Sequence, residues 1–243
     1  MLNEVATKIK LVRSKKEFVL MSAANFLVKI VSAVMYVRKV KLSPSVFRAH
    51  GKAVERANAK YPIRRVICKS FTVPAGFLDV SHEKLFSGQM PSRLVVGIVR
   101  NDAFNGSLAR NPFNFHHFKL TEISVYVDGQ QQQNIKPLRA DFTNKHYINS
   151  YLSLFSGTGK LNKDDGNNID RDEYGTGYTL YAFDLSPDLA EDDHFNLTHQ
   201  GGLRLVLKFA EALPATVSVI AYAEFENVVE VDRNRNVIFD FTS

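Results

Sequence analysis

Two runs near the C-terminal end of the chain repeat with a period of two, and that repeat constrains the fold more than any other feature. In 203–209, Leu203, Leu205, Leu207 and Phe209 alternate with Arg204, Val206 and Lys208. In 216–225, Val217, Val219, Ala221, Ala223 and Phe225 form one face, and Ser218, Ile220, Tyr222 and Glu224 the other. Successive side chains of a strand point to opposite faces, so each run reads as a half-buried strand. The short link Glu211-Ala212-Leu213-Pro214-Ala215 predicts that the two pair as an antiparallel hairpin.

Further strands are expected over 8–13, 27–41, 64–73, 93–100, 118–127, 135–142, 178–184 and 228–239. Turn clusters separate them at Ser87-Gly88, Asn105-Gly106, Asp128-Gly129 and 164–168. Two helices stand out. One follows Ser43-Pro44, a residue suited to N-capping and one suited to the first helical position, and runs through Val46, Phe47, His50, Val54 and Ala57 until Tyr61-Pro62. The other covers 145–155, with Ile148, Tyr151, Leu152 and Phe155 on one side, and ends at Ser156-Gly157. Many strands with isolated short helices in their connections predict an all-β antiparallel sandwich. Residues 71–243 offer about eight strands, the complement of one jelly roll. Residues 1–42 offer too few to close a sandwich, so they need a neighbour.

Composition sets outer bounds. Apolar residues make up 45% of 243, enough for a sizeable core. Cys68 stands alone, which rules out an intrachain disulfide and a cysteine-built zinc site. No apolar run approaches the roughly 18 residues of a membrane span. Residues 1–8 lack the apolar core of a secretory signal, so an intracellular chain is expected. Charge is unevenly spread: residues 1–70 carry 16 Lys and Arg against 3 Asp and Glu, and residues 71–243 carry 15 against 22. A basic front on an acidic body fits a face that meets a polyanion or an acidic partner. It fits equally a strand-rich segment with solvated Lys and Arg on its outer side, since basic and aromatic residues do not interleave there.

Several patterns resemble chemistry and fall short of it. Ser156-Gly157-Thr158-Gly159-Lys160 has Leu154 and Leu161 where a phosphate loop needs glycine and a hydroxyl residue, and it follows a helix. Asp164, Asp165, Asp170, Asp172 and Glu173 form an acidic loop, but placing Gly166 sixth in a calcium loop puts Leu161 first and Lys163 third. His116 and His117 are adjacent and would face opposite ways on a strand; His194 and His199 are spaced for neither strand nor helix chelation. Cys68 is expected as a small buried apolar residue. The sequons at Asn105 and Asn196 are expected to go unused. No catalytic, cofactor or metal residue is assigned, and no enzyme is expected.

Some motifs are more specific. They are Arg110-Asn111-Pro112-Phe113-Asn114-Phe115-His116-His117-Phe118; Ile123 to Gly129; Ser153 to Lys160; Gly177 to Leu189; Gly202 to Phe209; Tyr222 to Phe225; and Glu230 to Val237. Taken in order, they resemble the double jelly-roll major capsid protein of Polinton (Maverick) elements and the related adintoviruses, copies of which also lie in animal genomes. The resemblance covers nearly the whole chain. It implies two jelly rolls side by side in one protein, three copies forming a pseudo-hexagonal capsomer, and an icosahedral shell completed by a separate penton protein. It implies a virion location after intracellular assembly, and brings no catalytic residue and no cofactor.

At about half the length the family implies, residues 1–62 are expected to be the end of a first jelly roll plus a bridging helix, and 63–243 a second jelly roll. The apolar face of 27–41 would then belong against sheets outside this sequence. Leaving it bare is costly: each buried Val or Ile contributes roughly 1.5–3 kcal/mol against a domain margin of about 5–15. The chain is thus expected to be part of a longer product, a decayed copy, or a protein that docks these strands on a partner. Encapsidated DNA would meet the basic front through its phosphates alone. Two other classes compete. One is a single jelly roll that binds a glycan or protein, with Phe113, Tyr174, Tyr178 and Tyr181 as a stacking platform. The other is an enzyme of cupin type.

Overall fold

The computed structural model describes residues 8–22, 24, 26–131, 135–161, 163–186 and 199–241. Nine strands are present among them: β1 (Ala59–Val73), β2 (Asp79–Gln89), β3 (Arg93–Arg100), β4 (Leu120–Val127), β5 (Leu138–Arg139), β6 (Leu180–Asp184), β7 (Gln200–Phe209), β8 (Val217–Val231) and β9 (Val237–Phe239). Five helices accompany them: α1 (Lys16–Val19), α2 (Pro44–Arg56), α3 (Asn101–Asn105), α4 (Ile148–Ser156) and α5 (Arg171–Thr176). The chain divides into two compact units. The larger comprises Lys15–Asn25 and Arg65–Glu226; the smaller comprises Met1–Ser14, Phe26–Arg64 and Asn227–Ser243.

The strands form two sheets, ordered β1-β8-β3-β6 and β2-β7-β4-β5, with β9 added to β8. The neighbours include a nested series: β1 with β8, β2 with β7, β3 with β6, β4 with β5. One long hairpin rolled into two facing sheets gives that series, and it defines a jelly roll. The β2–β7, β3–β6, β3–β8, β4–β5 and β4–β7 ladders are all antiparallel. Inward side chains of both sheets share one core, which includes Leu94, Val96, Ile98, Leu120, Ile123, Leu203, Leu205, Leu207, Val219, Ala221, Ala223 and Phe225. The two alternating runs that predicted strands each turn their apolar face into this core.

They do not, however, pair with each other. β7 lies between β2 and β4, whereas β8 lies between β1 and β3. The link between them is occupied otherwise. Leu213 is buried, its N–H donates to the Phe77 carbonyl at 3.0 Å, and its carbonyl accepts the Gly76 N–H at 2.9 Å. Each strand has a single wholly apolar face, so placement in opposite sheets brings both faces onto the same core.

Other departures have local causes. The strand β2 was not anticipated, because its register slips between His82 and Phe86 and places the adjacent Leu85 and Phe86 both inside, which breaks the period of two. Ser87-Gly88, read as a turn, lies within it, with Gly88 at φ +92°. The expected strand 135–142 shrinks to Leu138–Arg139. The expected strand 228–239 is a hairpin of β8 and β9, whose turn is closed by Asp232: its Oδ1 accepts the N–H groups of Asn234 at 2.8 Å and Asn236 at 2.9 Å. The expected remnant strands 8–13 and 27–41 are absent; both segments lack strand pairing and are exposed along most of their length. A strand exists only where a ladder satisfies its backbone, and these segments have no ladder partner here.

The helix after Ser43 begins as the sequence predicts, with Pro44 in its first turn and the Ser43 hydroxyl accepting the Val46 N–H at 3.5 Å. It stops earlier, at Arg56, and Tyr61-Pro62 belongs to β1. The helix α4 packs with β6 around a second small core containing Tyr147, Leu154, Tyr174 and Ala182. Among the unanticipated helices, α5 opens with a capping box: the Glu173 N–H donates to Asp170 at 2.7 Å, and the Asp170 N–H donates to the Glu173 carboxylate at 3.2 Å. None of the helices among the described residues is long and apolar enough to cross a membrane.

Candidate functional site

The most conspicuous chemistry on this chain is apolar and uncovered. Between Phe26 and Phe47, Phe26, Leu27, Ile30, Val31, Val34, Met35, Tyr36, Val37, Val40, Leu42, Val46 and Phe47 are all exposed, with Tyr36 at 94% and Val31 at 91%. Isolated exposed apolar residues are ordinary; a run of this density marks an interaction surface. The helix α2 continues it: it is amphipathic in sequence and buries no residue. Within the smaller unit, a groove of about 1080 Å³ is lined by Val40, Leu42, Phe47, Val54 and Tyr61, together with Arg38, Lys39, His50 and Arg235.

The strand β1 supplies a second element. Among the described residues it is the edge of its sheet, with no strand on its outer side. Lys60, Pro62 and Arg64 alternate along its exposed face. Charged residues and proline on an edge strand discourage pairing with an arbitrary strand, which favours association through side chains. In the same unit, Asn58 donates to the Glu230 carboxylate at 2.9 Å and Lys60 lies 3.4 Å from it, and the two hold the Glu230 carboxyl below its ordinary range.

The residues singled out from sequence have structural roles. Gly157 ends α4, and a Cβ there would lie 2.6 Å from the Ala182 backbone; Arg93 donates to its carbonyl at 2.9 Å. The Thr158 hydroxyl donates back to the Leu154 carbonyl, and Lys160 reaches the Gly166 carbonyl at 3.0 Å and Asp165 at 3.5 Å. This segment is a helix terminus whose donors are taken up within the chain. In the acidic loop, Asp170 and Glu173 cap α5. Among the described residues, no group of three or more His, Cys, Asp or Glu is placed to hold a metal ion. His194 and Asn196 lie outside the described residues. Asn105 ends α3 and donates to Asn101 at 2.8 Å.

Two expectations change. Cys68 is exposed on β1, because the alternation along the strand places it on the same face as Pro62 and Arg64, opposite the partly buried Ile63 and Ile67. The four-residue aromatic platform does not form: Tyr174 and Tyr181 are 0% exposed and belong to the two cores, which leaves only Phe113 and Tyr178 at the surface. Burial pushes both buried phenols up. His116 and His117 do diverge. His117 stacks on Phe142 with centroids 4.1 Å apart, and His116 sits edge-on to Phe118.

Sequence reasoning missed two polar clusters. Asp128 receives the Gly202 N–H at 2.7 Å and lies 3.4 Å from His199. Asp102 is gripped by Arg100 and Arg110 together. Both clusters join residues far apart in the chain or at strand ends, and no local pattern announces them.

The fold thus defines an all-β jelly-roll sandwich with an exposed apolar segment. No protein-family model matches the chain. Among curated proteins it is similar to uncharacterized protein F54H12.2 of Caenorhabditis elegans, 32% identical over 190 residues, taking in 77% of this chain and 45% of that protein. The chain therefore spans less than half the length of this relative. Among solved structures it is similar to the PBCV-1 virus capsid, at 10% identity and TM-score 0.46, over 76% of this chain and 52% of that one. It is also similar to a chain of the Sputnik virophage (13%, TM-score 0.44, 76% and 39%) and to the mavirus major capsid protein (13%, TM-score 0.40, 76% and 42%).

Proposed function

We propose that this chain is a structural, capsid-type jelly roll, the second of two in a double jelly-roll major capsid protein of the Polinton and adintovirus kind. The observation that carries the reading is the pairing of a closed sandwich with an unpartnered apolar segment. The nested strand order needs nothing further to complete its own core, whereas 26–47 leaves a run of large apolar side chains in solvent. A subunit built to be covered by a preceding jelly roll and by neighbouring copies has a use for such a segment.

On this reading residues 1–62 hold the end of the first jelly roll and its bridge, and 63–243 the second. Three copies form a capsomer, capsomers tile a shell with a penton protein, and the basic front faces neighbouring jelly rolls or packaged DNA. The motifs from Arg110 to Val237 support the family, and the greater length of the worm relative fits a second domain of comparable size. The test is to map the 5′ end of the transcript and read the frame upstream of Met1. A strand-rich coding stretch of about one further domain is the expected result. A transcript that starts at Met1 overturns the two-domain reading and leaves a lone jelly roll.

A further inference from the structure

We propose that the small cavity beside the end of β3 is a binding site for a single oxyanion, a phosphate or carboxylate group, held between Arg100 and Arg110. The cavity measures about 210 Å³, below the several hundred of a metabolite pocket, and fits one such group with its waters. Arg100, Arg110, Asn111, Asn114 and His116 line it.

Its chemistry is one-sided. Among the described residues, Asp102 is the sole carboxylate ion-paired with the two guanidinium groups, and it is saturated. It accepts Arg100 Nε at 3.2 Å, Arg100 Nη2 at 3.2 Å and the Ala103 N–H at 2.8 Å, and Arg110 Nε lies 3.0 Å away. One negative charge against two positive ones leaves a surplus of one. Among the described residues, Arg100 Nη1 and both terminal nitrogens of Arg110 have no acceptor. The Asn111 oxygen is taken by the Phe113 N–H at 2.9 Å, which leaves its NH₂ as a donor. Donors thus outnumber open acceptors around the cavity, and guanidinium forks suit oxyanions in two-point contact. His116 agrees: burial, and then Arg100 and Arg110, hold its imidazole below the ordinary range, and an anion between the two guanidinium groups would draw it back up.

The experiment follows the His116 ring resonances by NMR in the full chain while inorganic phosphate or acetate is added at constant ionic strength. A saturable shift at millimolar concentration, with the His116 pKa moving up, is expected. Arg110→Gln leaves the Arg100–Asp102 pair in place and should weaken binding about tenfold, the scale of one charged hydrogen bond. Asn111→Asp keeps an acceptor for Phe113, adds a negative charge and should abolish binding even if Arg110→Gln proves unstable. Saturation by phosphate alone assigns a phosphate group, and saturation by acetate as well assigns a carboxylate side chain. The absence of a saturable response to both anions overturns the proposal, as does binding that Asn111→Asp leaves unchanged.

Discussion

A Cβ built on Gly157 would lie 2.6 Å from the carbonyl carbon of Ala182. The end of α4 therefore rests directly on the backbone of β6, and the glycine is there for room. Its φ of −76° is one that any residue adopts, so no conformational penalty confuses the test. Gly157→Ala should destabilise the chain by about 1–3 kcal/mol through overpacking. Urea denaturation would read this as a lower midpoint with an unchanged slope. An unchanged midpoint would mean that α4 moves off β6 freely.

Arg93 and Glu224 make a cross-strand ion pair at 2.9 Å between β3 and β8, with side-chain exposures of only 15% and 17%. Arg93 also donates to the Gly157 carbonyl, tying the sheet to α4. Arg93→Met should cost about 2 kcal/mol, the scale of charge-assisted hydrogen bonds lost from a half-buried site. The cost should be non-additive with Glu224→Gln in a double-mutant cycle. Additive losses would show that the pair is a neighbour relation without coupling.

These two contacts also mark what sequence can and cannot display. The inward faces of β3, β7 and β8 are legible because a period of two needs only local order. β2 is illegible because its register slip puts Leu85 and Phe86 inside together. The stretch 27–41 misleads in the opposite sense: it has strand-like composition, and without a ladder it forms none. The Arg100, Asp102 and Arg110 cluster depends on a strand end, a five-residue helix and a loop meeting in space, and spacing carries no trace of that.

Acid should loosen the corner before β4. Phe118 and Lys119 both have positive φ, at 45° and 52°, and the Lys119 N–H donates to His117 Nδ1 at 2.9 Å. Burial, and then His116 and Lys119, hold the His117 imidazole below its ordinary range. The unfolded chain therefore binds this proton more readily than the folded one, so stability rises with pH. His117 contributes fully above the unfolded value near 6.5, and the contribution falls away as pH drops from there through the lower folded value. Thermal melts from neutral to mildly acidic pH should fall less steeply for His117→Asn, which keeps an acceptor for Lys119. Parallel curves would remove His117 from the account.

Cys68 is exposed on the outward face of β1. A thiol reagent should modify one equivalent in the native protein without denaturant. Modification that waits for unfolding would return Cys68 to the interior that its sequence context suggests.

On the proposed function, the exposed apolar segment of this chain is covered by further subunits. Light scattering across the micromolar range measures that directly. The account predicts a mass that rises with concentration above 27.4 kDa, and a return toward that value when Val31 and Tyr36 are both replaced by serine. A constant 27.4 kDa for the unaltered chain at every concentration would contradict it.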